Sequence, residues 1–171
     1  MKRKQDAIDA HLEQWQQEMP KLGAENTAIL ERLKRCQQLV APQLDPVFAP
    51  FGISPWAFDV LATLRRAGSP YCMSPTALFS ALMVTSGTMT TRLRKLEDQG
   101  LISRQANQND ARSMLVKLTP KGRTLVEKAL TAYVKHNETV LEPLAASKQK
   151  QINDALKLLL EALETSEETQ D

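Results

Sequence analysis

The 171-residue chain is poor in the residue types on which cross-links, metal sites and catalysis usually rest. It has two cysteines, Cys36 and Cys72, and neither belongs to a CxxC pair. Isolated cysteines are most often packed thiols; a redox switch at either is the sharper alternative. The two histidines, His11 and His136, have no Cys, Asp or Glu partners at metal-ligand spacing. No glycine-rich phosphate loop and no nucleophile–base pattern stands out. An enzyme is therefore not expected, and with it no catalytic residue, cofactor or metal. No apolar run approaches the ~18–20 residues that span a bilayer. The N-terminal MKRKQDAIDAHLEQW is basic but lacks the apolar stretch of a secretory signal, so a cytoplasmic location is the default expectation.

Net charge is only +2, but it is unevenly placed. Residues 1–69 carry nine Lys/Arg against eight Asp/Glu, residues 70–125 carry eight against three, and residues 126–171 carry five against nine. The cationic excess lies in the middle segment, where neutralising phosphates and releasing their counterions would use it.

That segment has a distinctive order of signals. Ser74-Pro75 is a helix start, with a hydroxyl cap and a proline at the first helical position. Leu78, Phe79 and Leu82 supply an apolar side, a turn over Met83–Thr85 follows, and Ser86-Gly87 opens a second helix. In that helix Met89, Leu93 and Leu96 face inward, while Thr88, Thr91, Arg92 and Lys95 share the opposite face. Short hydroxyls allow close approach to base edges, and Arg or Lys meets guanines or phosphates. Gly100 ends the helix. Leu101–Ala106 and Ser113–Leu118 have strand character around a polar tip, NQNDAR. Arg112 in that tip is a candidate for a narrow minor groove, with Asp110 placed to orient its guanidinium. Arg104 shares a strand face with Ile102 and Ala106, so it needs an acid or anion partner. The whole reads as a helix-turn-helix with a β-hairpin wing.

The flanks are helical. Ile8, His11, Leu12 and Trp15 mark one face of a short helix over 5–18, for which Trp15 is the anchor or one wall of a pocket. A longer helix is expected over 24–48, with Pro42 inside its pattern as the point where it would kink or shorten. Ser54-Pro55 starts a helix that buries Ala57, Val60, Leu61 and Leu64 and stops at Gly68. Asp59 in it is either a solvated acid near a helix N-terminus or a carboxylate paired with an Arg from elsewhere. Thr119-Pro120 opens a long helix up to Pro143, and a leucine-rich helix runs from about Ser147 to Glu164. The surplus of apolar surface on the terminal helices argues for a helical dimer interface. The expected fold is mainly α with a small β-hairpin wing. N-terminal helices (1–54) and C-terminal dimerisation helices (123–165) flank a winged helix-turn-helix (55–122), and 166–171 is a frayed tail.

On SPTALFSAL, SGTMTTRLRKLEDQGLI, the wing NDARS and VKLTPKGRTLVE, the chain resembles the MarR family of bacterial regulators over about residues 27–164. The resemblance implies a homodimer that binds a palindromic operator, most simply as a repressor. A small molecule, often phenolic or aromatic, would release it. It assigns Ser86, Thr88, Thr91, Arg92 and Lys95 to the major groove and Arg112 to the minor groove.

The extra N-terminal helix and the run FAPFGISPWAFDVLATLRRAGSPY…SPTAL…MVTSGTMTTRL are similar to the urate-responsive, PecS- and HucR-like branch of that family. That likeness implies four ligand-linked positions: Trp15, Asp59, Arg92 and Arg104. Urate is a flat anion, suited to guanidinium groups and an aromatic wall. The alternatives are a phenolic-compound effector or a redox switch at Cys36 or Cys72.

Overall fold

The computed structural model describes residues 5–84, 89–107 and 110–168, without the side chains of 110–113 and 166–168. Two compact units divide the chain, residues 1–59 and 60–171, and each has its own buried side chains.

In the first unit, α1 (Ala7–Glu18) starts at a capping box. The Asp6 carboxylate accepts the N–H groups of Ile8 and Asp9 at 2.9 Å each, and the Asp9 carboxylate accepts the Asp6 N–H at 3.0 Å. These bonds satisfy donors that a helix N-terminus otherwise leaves open. Arg32, on α2 (Thr27–Val40), then reaches across to both acids: its Nε donates to Asp6 at 2.9 Å, and its terminal nitrogen to Asp9. The Arg32 guanidinium is the first cause holding the Asp6 carboxyl down at about 2. These ionic contacts orient the first turn of α1 beside buried Ile8, while Trp15 remains 48% exposed.

The single helix expected over 24–48 is instead broken. After α2 a 3-10 turn occupies Ala41–Gln43, then come α3 (Leu44–Phe48) and a second 3-10 turn, Ala49–Phe51. Pro42 and Pro50 cause the tightening, since each lacks the N–H that an α-helix needs. The breaks bring Phe48 onto Phe58, ring centroids 4.4 Å apart and stacked, with both side chains buried. Phe58 lies on α4 (Pro55–Arg66), whose remaining inward residues Val60, Leu61 and Leu64 belong to the second unit.

The second unit is built on a three-stranded antiparallel sheet in the order β1-β3-β2: β1 Cys72–Met73, β2 Ile102–Asn107 and β3 Asp110–Leu118. Cys72 is thus a strand residue opposite Lys117, rather than part of a loop. The same unit holds α5 (Pro75–Ala81), α6 (Met89–Asp98), α7 (Pro120–Leu141) and α8 (Ala146–Glu168). Ser74 caps α5 as expected, accepting from the Ala77 N–H at 3.2 Å. Leu61, Leu64, Leu78, Met89, Leu93, Leu96, Ile102, Val116 and Val126 form the core.

The start of α7 is fastened onto the end of α6. Thr119 Oγ1 accepts the Gly122 N–H at 3.0 Å and donates to the carbonyls of Gly100 and Leu101. Lys121 Nζ donates to the Gln99 carbonyl at 2.8 Å. A Cβ added at Gly122 would lie 2.0 Å from the Leu101 carbonyl oxygen, so no side chain fits there.

A second junction has no counterpart in the sequence reading. Arg65, in the last turn of α4, and Arg123, in the first of α7, stand over the Tyr71 ring at 5.1 and 5.4 Å from its centroid. Glu127 accepts from both guanidiniums, at 2.7 Å from Arg65 and 3.3 Å from Arg123. Arg65 foremost depresses the Glu127 carboxyl below its usual range. Tyr71 itself takes a left-handed backbone, φ 60, fixed by its N–H donating to Gly68 and its carbonyl accepting from Leu118.

Two outcomes follow from these contacts. Gly122→Ala forces α7 off the α6–β2 corner and lowers the unfolding free energy by about 1–3 kcal/mol or more, read as a reduced chemical-denaturation midpoint. In α1, a depressed carboxyl contributes stability that is present above its unfolded value of 3.8 and is lost as pH falls through about 2. Amide exchange in residues 7–18 accelerates over that window relative to the rest of the chain, and Arg32→Ala accelerates it already at neutral pH.

Candidate nucleic-acid interface and effector residues

The recognition surface begins with the geometry of α6. Met89, Leu93 and Leu96 are buried at 1, 3 and 0% exposure, so the helix is keyed into the core along one line. At 100° per residue the opposite side belongs to Thr91, Arg94, Lys95 and, at the helix end, Asp98, and all four are exposed. Thr90 is exposed on the flank. Arg94 was legible from the same inward triad, which leaves it no direction but outward. Ser86 and Thr88 lie outside the described residues.

Arg92 differs from the outward face on which the sequence placed it. It sits about 60° from the buried line, is half-buried and is engaged in an interaction of its own. An Arg at that angle is directed along the flank of α6, away from the helix's most exposed line.

The wing also departs from expectation. The polar tip expected over 107–112 is shorter, because β2 runs to Asn107 and β3 restarts at Asp110, the two residues pairing with each other. A register irregularity between Ala106 and Asn107 absorbs the difference. Asp110 and Arg112 are therefore strand residues at the outer end of the hairpin, and the side-chain ion pair expected between them lies outside the described residues.

Arg104 has the acid partner its position calls for. It pairs across the ladder with buried Val116, at the rim of the sheet's inner face. Glu97, near the end of α6, meets it twice: Oε1 accepts the Arg104 backbone N–H at 3.2 Å, and Oε2 lies 3.3 Å from the guanidinium Nε. Because β2 is an edge strand, its outward N–H groups have no ladder partner, and Glu97 takes one of them.

In the first unit Trp15 lines a groove of about 460 Å³ with Ile8, His11, Leu12, Glu18, Thr27 and Glu31. Asp59 is on the exposed side of α4, yet partial burial by the surrounding protein pushes its carboxyl above the ordinary value. Cys36 is exposed and Cys72 half-buried. Among the described residues no three His, Cys, Asp or Glu side chains gather as a metal site, and no single helix is long and apolar enough to cross a membrane.

Comparison with known proteins agrees with this architecture. Residues 53–114 match the MarR family model. The HTH-type transcriptional regulator PecS of Dickeya dadantii (strain 3937) is 34% identical over 145 residues, covering 85% of this chain and 87% of PecS. A mutant MarR from E. coli, solved in complex with operator DNA, is 27% identical with a TM-score of 0.72, covering 82% of this chain and 99% of MarR. The transcriptional repressor CouR, solved bound to a 23-mer DNA duplex, is 26% identical with a TM-score of 0.71, covering 82% of this chain and 97% of CouR. With a relative this similar over most of both chains, and with the winged helix built as described, the chain belongs to the MarR family of DNA-binding transcription regulators and is not an enzyme.

Proposed function

We propose that the protein is an effector-responsive repressor that binds a palindromic operator as a homodimer. The observation that carries this is the outward row Thr91, Arg94 and Lys95 on a helix whose other side is locked into the core. Such a row combines close-approach hydroxyls with cations for base edges and phosphates. Ser86, Thr88 and Arg92 join it by the resemblance described above, with Asp110 and Arg112 at the wing. A wing Arg gains from the enhanced negative potential of a narrow minor groove.

The dimer follows from what the helices leave uncovered. Ile29, Leu30 and Leu33 on α2 are exposed, as are Leu130, Val134 and Leu141 on α7 and Ile152, Leu156, Leu160 and Leu163 on α8. Apolar rows of this extent on terminal helices exceed what a soluble monomer ordinarily shows. A second copy of the chain is the occupant that also supplies the second recognition helix, about 34 Å away, which a palindrome demands.

For the effector, the reading is a small anionic aromatic molecule such as urate or a related purine, contacted by Trp15, Asp59, Arg92 and Arg104. Its support is the likeness to the urate-responsive branch, the 34% identity to PecS and the chemistry of those side chains. Guanidiniums meet the anionic edge, an indole meets a flat ring, and the partly desolvated Asp59 is sensitive to an added negative charge nearby. The exposed thiol of Cys36 is what favours redox control as the second reading.

Fluorescence anisotropy with operator DNA tests the assembly. Lys95→Ala or Arg112→Ala lowers the slope of log affinity against log salt by about 0.9 for each phosphate contact removed; an unchanged slope and affinity removes that residue from the interface. The double variant Leu156→Glu/Leu163→Glu sediments as a monomer and loses operator binding, whereas a dimer of unchanged stability would place the interface elsewhere. Urate added to the wild-type complex releases DNA, a phenolic acid does so less well, and release by peroxide instead of urate would favour the cysteine reading.

A further inference from the structure

Glu97 is an acid that holds a proposed effector residue, Arg104, and its position raises a specific question about release. It belongs to the last turn of the recognition helix α6, while Arg104 belongs to the wing strand β2. Both oxygens of the carboxylate are committed to Arg104, one to its backbone N–H and one to its guanidinium. Among the described residues, Glu97 is the only acid within ion-pair distance of that guanidinium.

We propose that Glu97 is an internal competitor for Arg104, and that an anionic effector acts by taking its place. This deepens the effector reading above and rests on it. A neutral ligand has no means of displacing a carboxylate from a guanidinium. An anion offering two coplanar acceptors does, because it can make the paired, charge-assisted contacts that the single 3.3 Å approach of Glu97 does not. The exchange is accessible, since the side chains of Arg104 and Glu97 are 34% and 37% exposed. It is also inexpensive, since a pair of that exposure contributes little on its own.

The consequence falls on α6. Glu97 and Asp98 are two acids at the C-terminal end of the helix, where the macrodipole disfavours negative charge. The Arg104 guanidinium offsets one of them. Once an anion occupies Arg104, Glu97 is left uncompensated at the helix end and repelled by the ligand beside it. The last turn of α6, which carries Lys95 and continues the helix from Thr91 and Arg94, then loses its side-chain tie to β2. Ligand occupancy is thereby converted into a change at the DNA-reading element through one named exchange.

Calorimetric titration of the full chain with urate, and with caffeine as an uncharged purine, tests the exchange. Glu97→Gln keeps an acceptor for the Arg104 N–H and removes only the charge. It tightens urate binding about two- to fivefold, the size expected of a pair this exposed, and leaves caffeine unchanged. In an Arg104→Ala background, where urate binds more weakly, the same substitution gives a smaller gain, because only the repulsion between Glu97 and the ligand is left to relieve; an undiminished gain there would mean that the effect does not pass through that guanidinium. If urate binds the wild type and Glu97→Gln binds it equally or more weakly, the competition is overturned while the effector reading stands. If urate binds neither protein, the effector reading fails and the exchange fails with it.

Discussion

The approach of Gly122 to the Leu101 carbonyl is the constraint on which the arrangement of the second unit depends. With no Cβ to hold them apart, the first turn of α7 lies directly against the corner where α6 turns into β2. Thr119 closes the same corner from both directions, receiving the Gly122 N–H and donating to Gly100 and Leu101, and Lys121 ties Gln99. The exit of the recognition helix, the root of the wing and the start of α7 are therefore one fixed point. The Arg65–Tyr71–Arg123–Glu127 cluster fastens α7 a second time, to α4 and to the chain entering β1. Two attachments on one helix within its first eight residues fix its direction as well as its position. Apolar packing alone is non-directional and would fix it less well.

This explains which parts of the fold were legible in the sequence. Elements defined by local rules were readable: Ser74-Pro75 and Thr119-Pro120 start helices for reasons contained in four residues, and the inward triad of α6 follows from period alone. The four-residue cluster about Tyr71 was not readable, because its members are separated by up to 62 positions and meet only through cation–π and ionic contacts that leave no periodic trace. The 24–48 helix misled because its apolar spacing continues across Pro42 although its hydrogen bonds do not. The wing was expected too short in its strands because NQNDAR is polar throughout, and polarity marks exposure, which an outer hairpin end has whether or not it is paired.

The candidate site was legible in the same proportion. An acid beside Arg104 was expected from its face of the strand, but Glu97 could not be singled out as that acid. What selects it is the edge position of β2, a property of the sheet order, which leaves an N–H for the carboxylate to accept. Trp15 illustrates the converse. A large aromatic on a short helix suggests an anchor, yet the helix is fixed by the Asp6–Arg32–Asp9 contacts, and the indole is left half-exposed over a groove.

Arg92 bears on the proposal that one helix answers to both DNA and ligand. If the same guanidinium served both, it would have to leave one surface for the other. The angular placement of α6 separates the side chains: Thr91, Arg94 and Lys95 point outward, whereas Arg92 lies partly buried on the flank. A charge that is partly desolvated and already engaged costs more to disturb than a solvated one. Arg92, which the resemblance also assigns to the major groove, thus lies where a local change on the flank reaches the helix. With Glu97 five residues on and facing Arg104, both proposed effector contacts of the second unit act on the flank and end of the helix whose outward row carries the DNA-reading residues. The effector then needs no direct competition with DNA. A small shift of a helix that is rigidly keyed through Met89, Leu93 and Leu96 displaces the whole outward row together.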